Sequence, residues 1–174
     1  SIDIDVILER NGDQEGILKA ISLPDKINKL DLVEGRLPEK KDECVIDCFT
    51  ITGETYRIGD KVKLSSNNDK DTLKKFKVRE FTIVGAINSP VYLDDQRGST
   101  DIGDGSLDAF FYVREDAFDV DYYTSLYIKL DGDEEILSDE LNAKLTKYKK
   151  PMEELAEQIT AARRTTAMKE AQEE

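Results

Sequence analysis

The sequence has no histidine. Without an imidazole there is no Ser-His-Asp or Cys-His arrangement, no histidine-based metal site and no general base that titrates near neutrality. Cysteine is scarce, with only Cys44 and Cys48. Residues 43–51 read as a strand, in which positions four apart lie about 13 Å from each other, too far for a disulfide. C-x-x-x-C without histidine is not a zinc spacing either. The two thiols are therefore expected as small side chains on one strand face. No run of eighteen apolar residues exists, so no segment reads as membrane-spanning. No signal peptide and no GxxxxGK[ST] phosphate loop are recognisable, which excludes ATP binding of that kind. Basic residues are in deficit: 25 Lys and Arg against 38 Asp and Glu leave a net charge of −13. Such a surface repels nucleic-acid phosphate and anionic lipid and favours solubility.

Among 174 residues, 39% are hydrophobic, enough to build one core domain with an appendage. Ile2, Ile4 and Val6 alternate with acids, and Asn11-Gly12 is a hairpin signal leading to a return strand at 17–23. In that strand Ile17, Lys19 and Ile21 face one way, Leu18, Ala20 and Ser22 the other. A short helical turn is expected at 24–30, a half-exposed strand at 61–64 and a polar loop at 65–71. Residues 73–79 should lead into the next strand. Phe81 to Ile87 is rich in β-branched residues and reads as a buried strand. Ala109-Phe-Phe-Tyr-Val113 is apolar on both faces and needs cover on two sides. Between them lies a long polar loop with Gly98, Gly103 and Gly105; loops of this length usually serve a purpose. One helical turn at 114–118 and a last strand at 125–130 complete the first part. Turn signals every eight to twelve residues up to Gly132 argue against alternating βαβ units.

Ser89-Pro90-Val91-Tyr92, Arg97-Gly98-Ser99-Thr100, Ile102-Gly103 and Gly105-Ser106 follow one another in this stretch. Upstream stand Leu32-Val33-Glu34-Gly35-Arg36-Leu37-Pro38, Glu43-Cys44-Val45-Ile46-Asp47, Ile58-Gly59-Asp60-Lys61-Val62 and Phe81-Thr82-Ile83-Val84-Gly85. In this order the pieces resemble the extracytoplasmic, MacB-like periplasmic core domain of FtsX-like ABC transporter permeases, in particular the large permeases of Gram-positive bacteria. The resemblance covers roughly residues 22–130. It implies a non-catalytic domain outside the cell membrane, an excised piece of a membrane protein. Its partners would be the transmembrane part of the permease, a cytoplasmic ATP-binding subunit and an extracellular protein or peptide.

From residue 134 the character changes. Leu141, Leu145, Tyr148, Met152, Leu155, Ile159 and Ala162 follow spacings of four and three, a heptad-like seam. Pro151 lies inside it and predicts a kink or a break, and residues 165–174 should fray. The seam reads either as a helix laid on the β core, for 136–148, or as a stalk from Met152 onward.

The fold expected is α+β: a mainly antiparallel or mixed sheet, partly barrel-like, over 1–133, then a coiled-coil-like helical extension over 134–174. The loop acids Asp94, Asp95, Asp101, Asp104 and Asp108 lack an EF-hand spacing and read as solvated. Arg97 should tie that loop together. Candidate partner contacts are Tyr92, Arg97, Asp101, Asp104, Tyr122, Tyr123, Leu155 and Ile159, with Tyr112 in the core. No cofactor and no metal are expected, and the domain should be monomeric or weakly dimeric through its last helix. The alternative is a secreted binding or adhesion module assembling through the C-terminal helices; an enzyme is the least supported reading.

Overall fold

A computed structural model describes residues 1–10, 14–53, 55–93, 96–132 and 138–173. These fall into two units, Ser1–Lys129 and Leu130–Glu174. The expected Asn11-Gly12 turn and the acids Asp94 and Asp95 lie outside the described residues.

The first unit is a mixed sheet of seven strands: β1 (Asp3–Arg10), β2 (Gln14–Ser22), β3 (Asp31–Gly35), β4 (Glu43–Asp47), β5 (Lys61–Leu64), β6 (Glu80–Asn88) and β7 (Ala109–Val113). Their order is β3-β6-β4-β7-β2-β1-β5, and β5 pairs again with β6, which closes six of them into a barrel. The α+β class therefore holds, with the barrel complete. β2 runs parallel to β7, and β4 runs parallel to β6; the other pairings are antiparallel.

β6 carries the closure. One of its edges is taken by β4 from Thr82 to Ile87. The other edge is shared: β5 takes Glu80 to Thr82 and β3 takes Gly85 to Asn88. Between them the Ile83 amide donates to the Asp60 carbonyl (2.9 Å), and the Arg36 amide donates to the Val84 carbonyl (3.0 Å). Where β3 crosses onto β6, glycines face each other. A Cβ on Gly85 would lie 2.6 Å from the Arg36 carbonyl oxygen, and Gly35, at φ +78°, would place one 2.3 Å from the Val84 oxygen. Only glycine tolerates that approach.

Alternation sorts the side chains. Ile4, Val6 and Leu8 of β1, Leu18 and Ala20 of β2, and Phe111 of β7 fill the barrel interior with Phe81 and Ile83. Ile21, Val45, Ile87, Phe110 and Tyr112 point out of the barrel into a second cluster, covered by Leu23, Leu30 and Tyr92. β7 is thus buried on both faces, as its composition requires.

Several local expectations are corrected. The strand expected over 43–51 stops at Asp47, whose carboxylate accepts the Phe49 amide (3.1 Å) and caps a short helix α1 (Cys48–Thr52). Cys44 faces the interior and Cys48 opens that helix; both are free thiols. Residues 70–74 form helix α2 (Lys70–Lys74), because Asp69 accepts from the Thr72 amide (2.7 Å) and hydroxyl (2.6 Å). No helical turn forms at 24–30, where Asn28 adopts a left-handed φ of 54°. Residues 31–35, not anticipated as a strand, pair with β6, and 125–130 carry no strand. Residues 115–117 form a 3-10 turn.

The second unit contains α3 (Asp139–Glu173), 35 residues long and roughly 50 Å along its axis. It runs through Pro151 as one helix, and residues expected to fray remain helical to Glu173. Apart from Pro151, the sequence around it is Lys, Glu, Ala, Leu and other good helix formers. One lost hydrogen bond does not outweigh that run.

Beside the β3–β6 crossing, Glu43 accepts both Arg36 nitrogens (2.7 and 2.6 Å) and the amides of Glu39 (2.8 Å) and Lys40 (3.2 Å). The Arg36 guanidinium, then the Glu39 amide, hold its carboxyl down from the ordinary 4.5 to about 2. A carboxyl depressed by folding contributes stability that is complete above its unfolded pKa and is lost as pH falls through its folded one. We expect Glu43→Gln to lower the urea midpoint at neutral pH and the gap from the native chain to close between pH 4.5 and 2. Gly85→Ala should cost about 2–3 kcal/mol in urea unfolding. Gly59→Ala, where an added Cβ meets nothing within 4 Å, should cost only its backbone strain, about 1–2 kcal/mol.

Candidate functional site

The ends of β1 and β4 and the beginnings of β2 and β7 lie at one mouth of the barrel, as their pairings demand. The long loop before β7 returns to this mouth, and α1 lies beside it. The loop is pinned by Arg97. Its Nε donates to Asp47 Oδ2 at 2.5 Å, with side chains 10% and 3% exposed. The guanidinium lies 5.6 Å from the Phe49 ring centre and 5.4 Å from that of Phe110. Tyr92 stacks on Phe110 with ring centres 4.2 Å apart. One carboxylate therefore caps α1 and holds the loop. Arg97 ties the loop to the end of β4 through Asp47.

Beyond Arg97 the loop folds on itself. Ser99 bridges Ser106, the Thr100 amide donates to the Gly105 carbonyl (3.1 Å), and Asp104 accepts from the Ser106 amide (3.0 Å) and hydroxyl (2.7 Å). Those Ser106 bonds lower the Asp104 pKa. Asp101 and Asp104 are exposed. Asp108 is more than a solvated acid: its Oδ2 accepts the Ile17 amide (2.7 Å) and locks the start of β7 to β2.

An open cleft of about 620 Å³ lies at this mouth. Its lining includes Arg10, Phe49, Thr50, Tyr56, Asp108 and Ala109. Thr50, Tyr56 and Ala109 are buried, whereas Phe49 and Asp108 are exposed. Burial pushes the Tyr56 phenol up to about 12; Arg10 opposes the shift and Asp108 adds to it. Arg10 and Tyr56 carried no sequence signal, because neither belongs to a motif and only the barrel brings residues 10, 56 and 108 together.

At the other ends of β1 and β2, Ser1 lies against the segment by which the chain leaves the barrel. Its carbonyl accepts the Thr124 (3.0 Å) and Ser125 (3.2 Å) amides, and Asp3 accepts the Ser125 hydroxyl. A groove of about 280 Å³ beside this junction is lined by Ile21, Val91, Tyr112, Tyr123, Leu126 and Tyr127 among others. Tyr112 is a buried part of it, its phenol raised to about 12 by burial, with the Ser89 hydroxyl 2.8 Å away.

The anticipated contact residues thus separate. Tyr92 and Arg97 are engaged in internal packing, Asp101 and Asp104 are on the exposed loop, and Tyr122 is half-buried. Tyr123 is 65% exposed and lines the groove, its hydroxyl donating to Glu115 (3.0 Å). Leu155 and Ile159 are exposed on α3. Among the described residues, no three Cys, Asp or Glu side chains converge as a metal site, and no helix is long and apolar enough to cross a membrane. No model of a known protein family, no curated protein and no solved structure matches the chain.

Removing Arg97 leaves Asp47 buried without its cation, so Arg97→Ala should cost about 3–5 kcal/mol. Amide exchange in residues 96–108 should accelerate more than that in β1, measured by hydrogen exchange and mass spectrometry. Arg97→Lys should restore little, since a point charge cannot lie flat between two rings.

Proposed function

We propose that the chain is a non-catalytic extracytoplasmic domain of an FtsX/MacB-like ABC transporter permease, coupling ATP-driven movement of membrane helices to an extracellular substrate or partner. The observation that carries this reading is the pairing of Ser1 with Thr124 and Ser125. The chain arrives at β1 and leaves the barrel at one place. A β unit whose first strand and exit segment are hydrogen-bonded to each other is compatible with insertion between membrane-crossing segments. The ordered motifs over roughly 22–130 support the same reading, as does a barrel whose interior is filled by side chains.

In this reading, the junction end lies toward the membrane. The mouth with its pinned loop, 96–108, faces outward to meet a protein or peptide. The transmembrane part of the permease and a cytoplasmic ATP-binding subunit supply the motion. Half-buried Cys48 gives a direct test, since Cys44 is fully buried. In intact cells making the full-length protein, a membrane-impermeant maleimide should label the peptide containing Cys48, read by mass spectrometry, and Cys48→Ser should remove the label from that peptide. Labelling only after lysis would overturn the extracytoplasmic placement. A full reading frame without membrane spans would overturn the permease assignment.

The exposed seam of α3 supports the second reading, a secreted module assembling through its helices. Leu145, Leu155 and Ile159 are 47%, 55% and 52% exposed at heptad-like spacing. That reading predicts self-association in sedimentation equilibrium, lost in Leu155→Glu/Ile159→Glu.

A further inference from the structure

The cleft at the barrel mouth is lined by one cation, Arg10, and two carboxylates, Glu15 and Asp108; Glu15 is taken up by Ser65 and Asn67 at the rim, which leaves Arg10 and Asp108 as the opposed charges. Arg10 donates through Nη2 to Gln14 (2.7 Å), but its Nε is buried with no acceptor. Asp108 receives the Ile17 amide on Oδ2, and no other donor among the described residues reaches its carboxylate. Arg10 and Asp108 both line the cleft, yet they form no ion pair with each other. Tyr56 lies on the floor, 5% exposed, with its ring 5.5 Å from the Arg10 guanidinium carbon. Its hydroxyl has no hydrogen-bond partner among the described residues. Tyr56 and Asp108 both border Gly16: a Cβ there would sit 3.4 Å from the Tyr56 oxygen and 3.3 Å from Asp108 Oδ2. The Tyr56 hydroxyl oxygen is not sealed from solvent, unlike the Arg10 Nε, and is open to the cleft.

We infer that this cleft binds a small zwitterion bearing an ammonium and a carboxylate, a free amino acid or a short peptide. The carboxylate meets Arg10, the ammonium meets Asp108, and the Tyr56 hydroxyl bonds to whichever group lies over it. The exposed Phe49 ring and Ala109 offer apolar contact to a side chain. Size agrees, since ligand clefts run from about 300 to 1,000 Å³. Charge agrees too: a chain of net charge −13 repels an anion, but a zwitterion carries no net charge to repel. The inference stands apart from the permease reading, because it concerns the isolated cleft.

The test is heteronuclear NMR titration of the 174-residue chain with L-leucine and with glycyl-leucine. Isoamylamine, lacking the carboxylate, and 4-methylpentanoate, lacking the ammonium, serve as comparisons. The zwitterions should shift resonances of Tyr56, Asp108 and Ala109 at millimolar concentration, and each singly charged analogue should bind roughly tenfold more weakly. Preference for leucine over its dipeptide marks a free amino acid; the reverse marks a peptide. Arg10→Gln should erase the advantage of leucine over isoamylamine, and Asp108→Asn its advantage over 4-methylpentanoate. Tyr56→Phe should weaken leucine about fivefold. No shift at the cleft with either zwitterion, or equal binding of the analogues, overturns the inference. The analogue series on the native chain decides this even where a variant fails to fold.

Discussion

One edge of one strand governs this barrel. β6 gives its first three residues to β5 and its last four to β3, with β4 along the opposite edge. Its own sequence permits this: the alternating Phe81, Ile83 and Gly85 put two large groups inward and then remove the side chain where β3 must cross. If β6 were paired along one whole edge with β3, β5 would have no second partner and the sheet would stay open. The Arg36–Glu43 pair reinforces the same corner, since Arg36 follows β3 and Glu43 begins β4. Closure of the sheet and the glycine pair are thus one constraint seen from two strands.

Closure then determines what each end can do. Because β2 and β7 run parallel, both begin at the mouth where β1 and β4 end. That gathers α1, the pinned loop and the cleft lined by Arg10, Tyr56 and Asp108 at one end. The chain's arrival and departure fall at the other. The interior is filled by aliphatic and aromatic side chains, so any binding belongs to the ends and outer face.

Local chemistry made much of this legible. The alternation of β1 and β2, the two-faced burial of Ala109 to Val113 and the seam of α3 follow from residue spacing alone. Asp47 and Asp69 did not read as helix starts, since the run Cys48-Phe49-Thr50-Ile51 after Asp47 continues an apolar strand pattern and the polar run Ser65 to Asn68 before Asp69 reads as a loop; a carboxylate cap outweighed both. β3 was missed because its exposed residues carry no alternation, and its existence depends on β6. The Arg97–Asp47 pair and the cleft lie further from sequence still. Their members are separated by tens of residues, and nothing local to any of them marks its partner.

The parallel pairing of β2 with β7 also bears on how the molecule forms. Leu18 must wait for Ala109, and no local hairpin can substitute for that contact. Contacts between distant parts of a chain carry a large loop-closure cost before they return any stability, so such topologies fold slowly. During synthesis, β1 and β2 therefore emerge as an apolar hairpin with one edge uncovered until residue 113 is made. Asp5, Lys19 and Glu9 on its outer face give that unfinished sheet the charges that discourage pairing with a neighbouring chain.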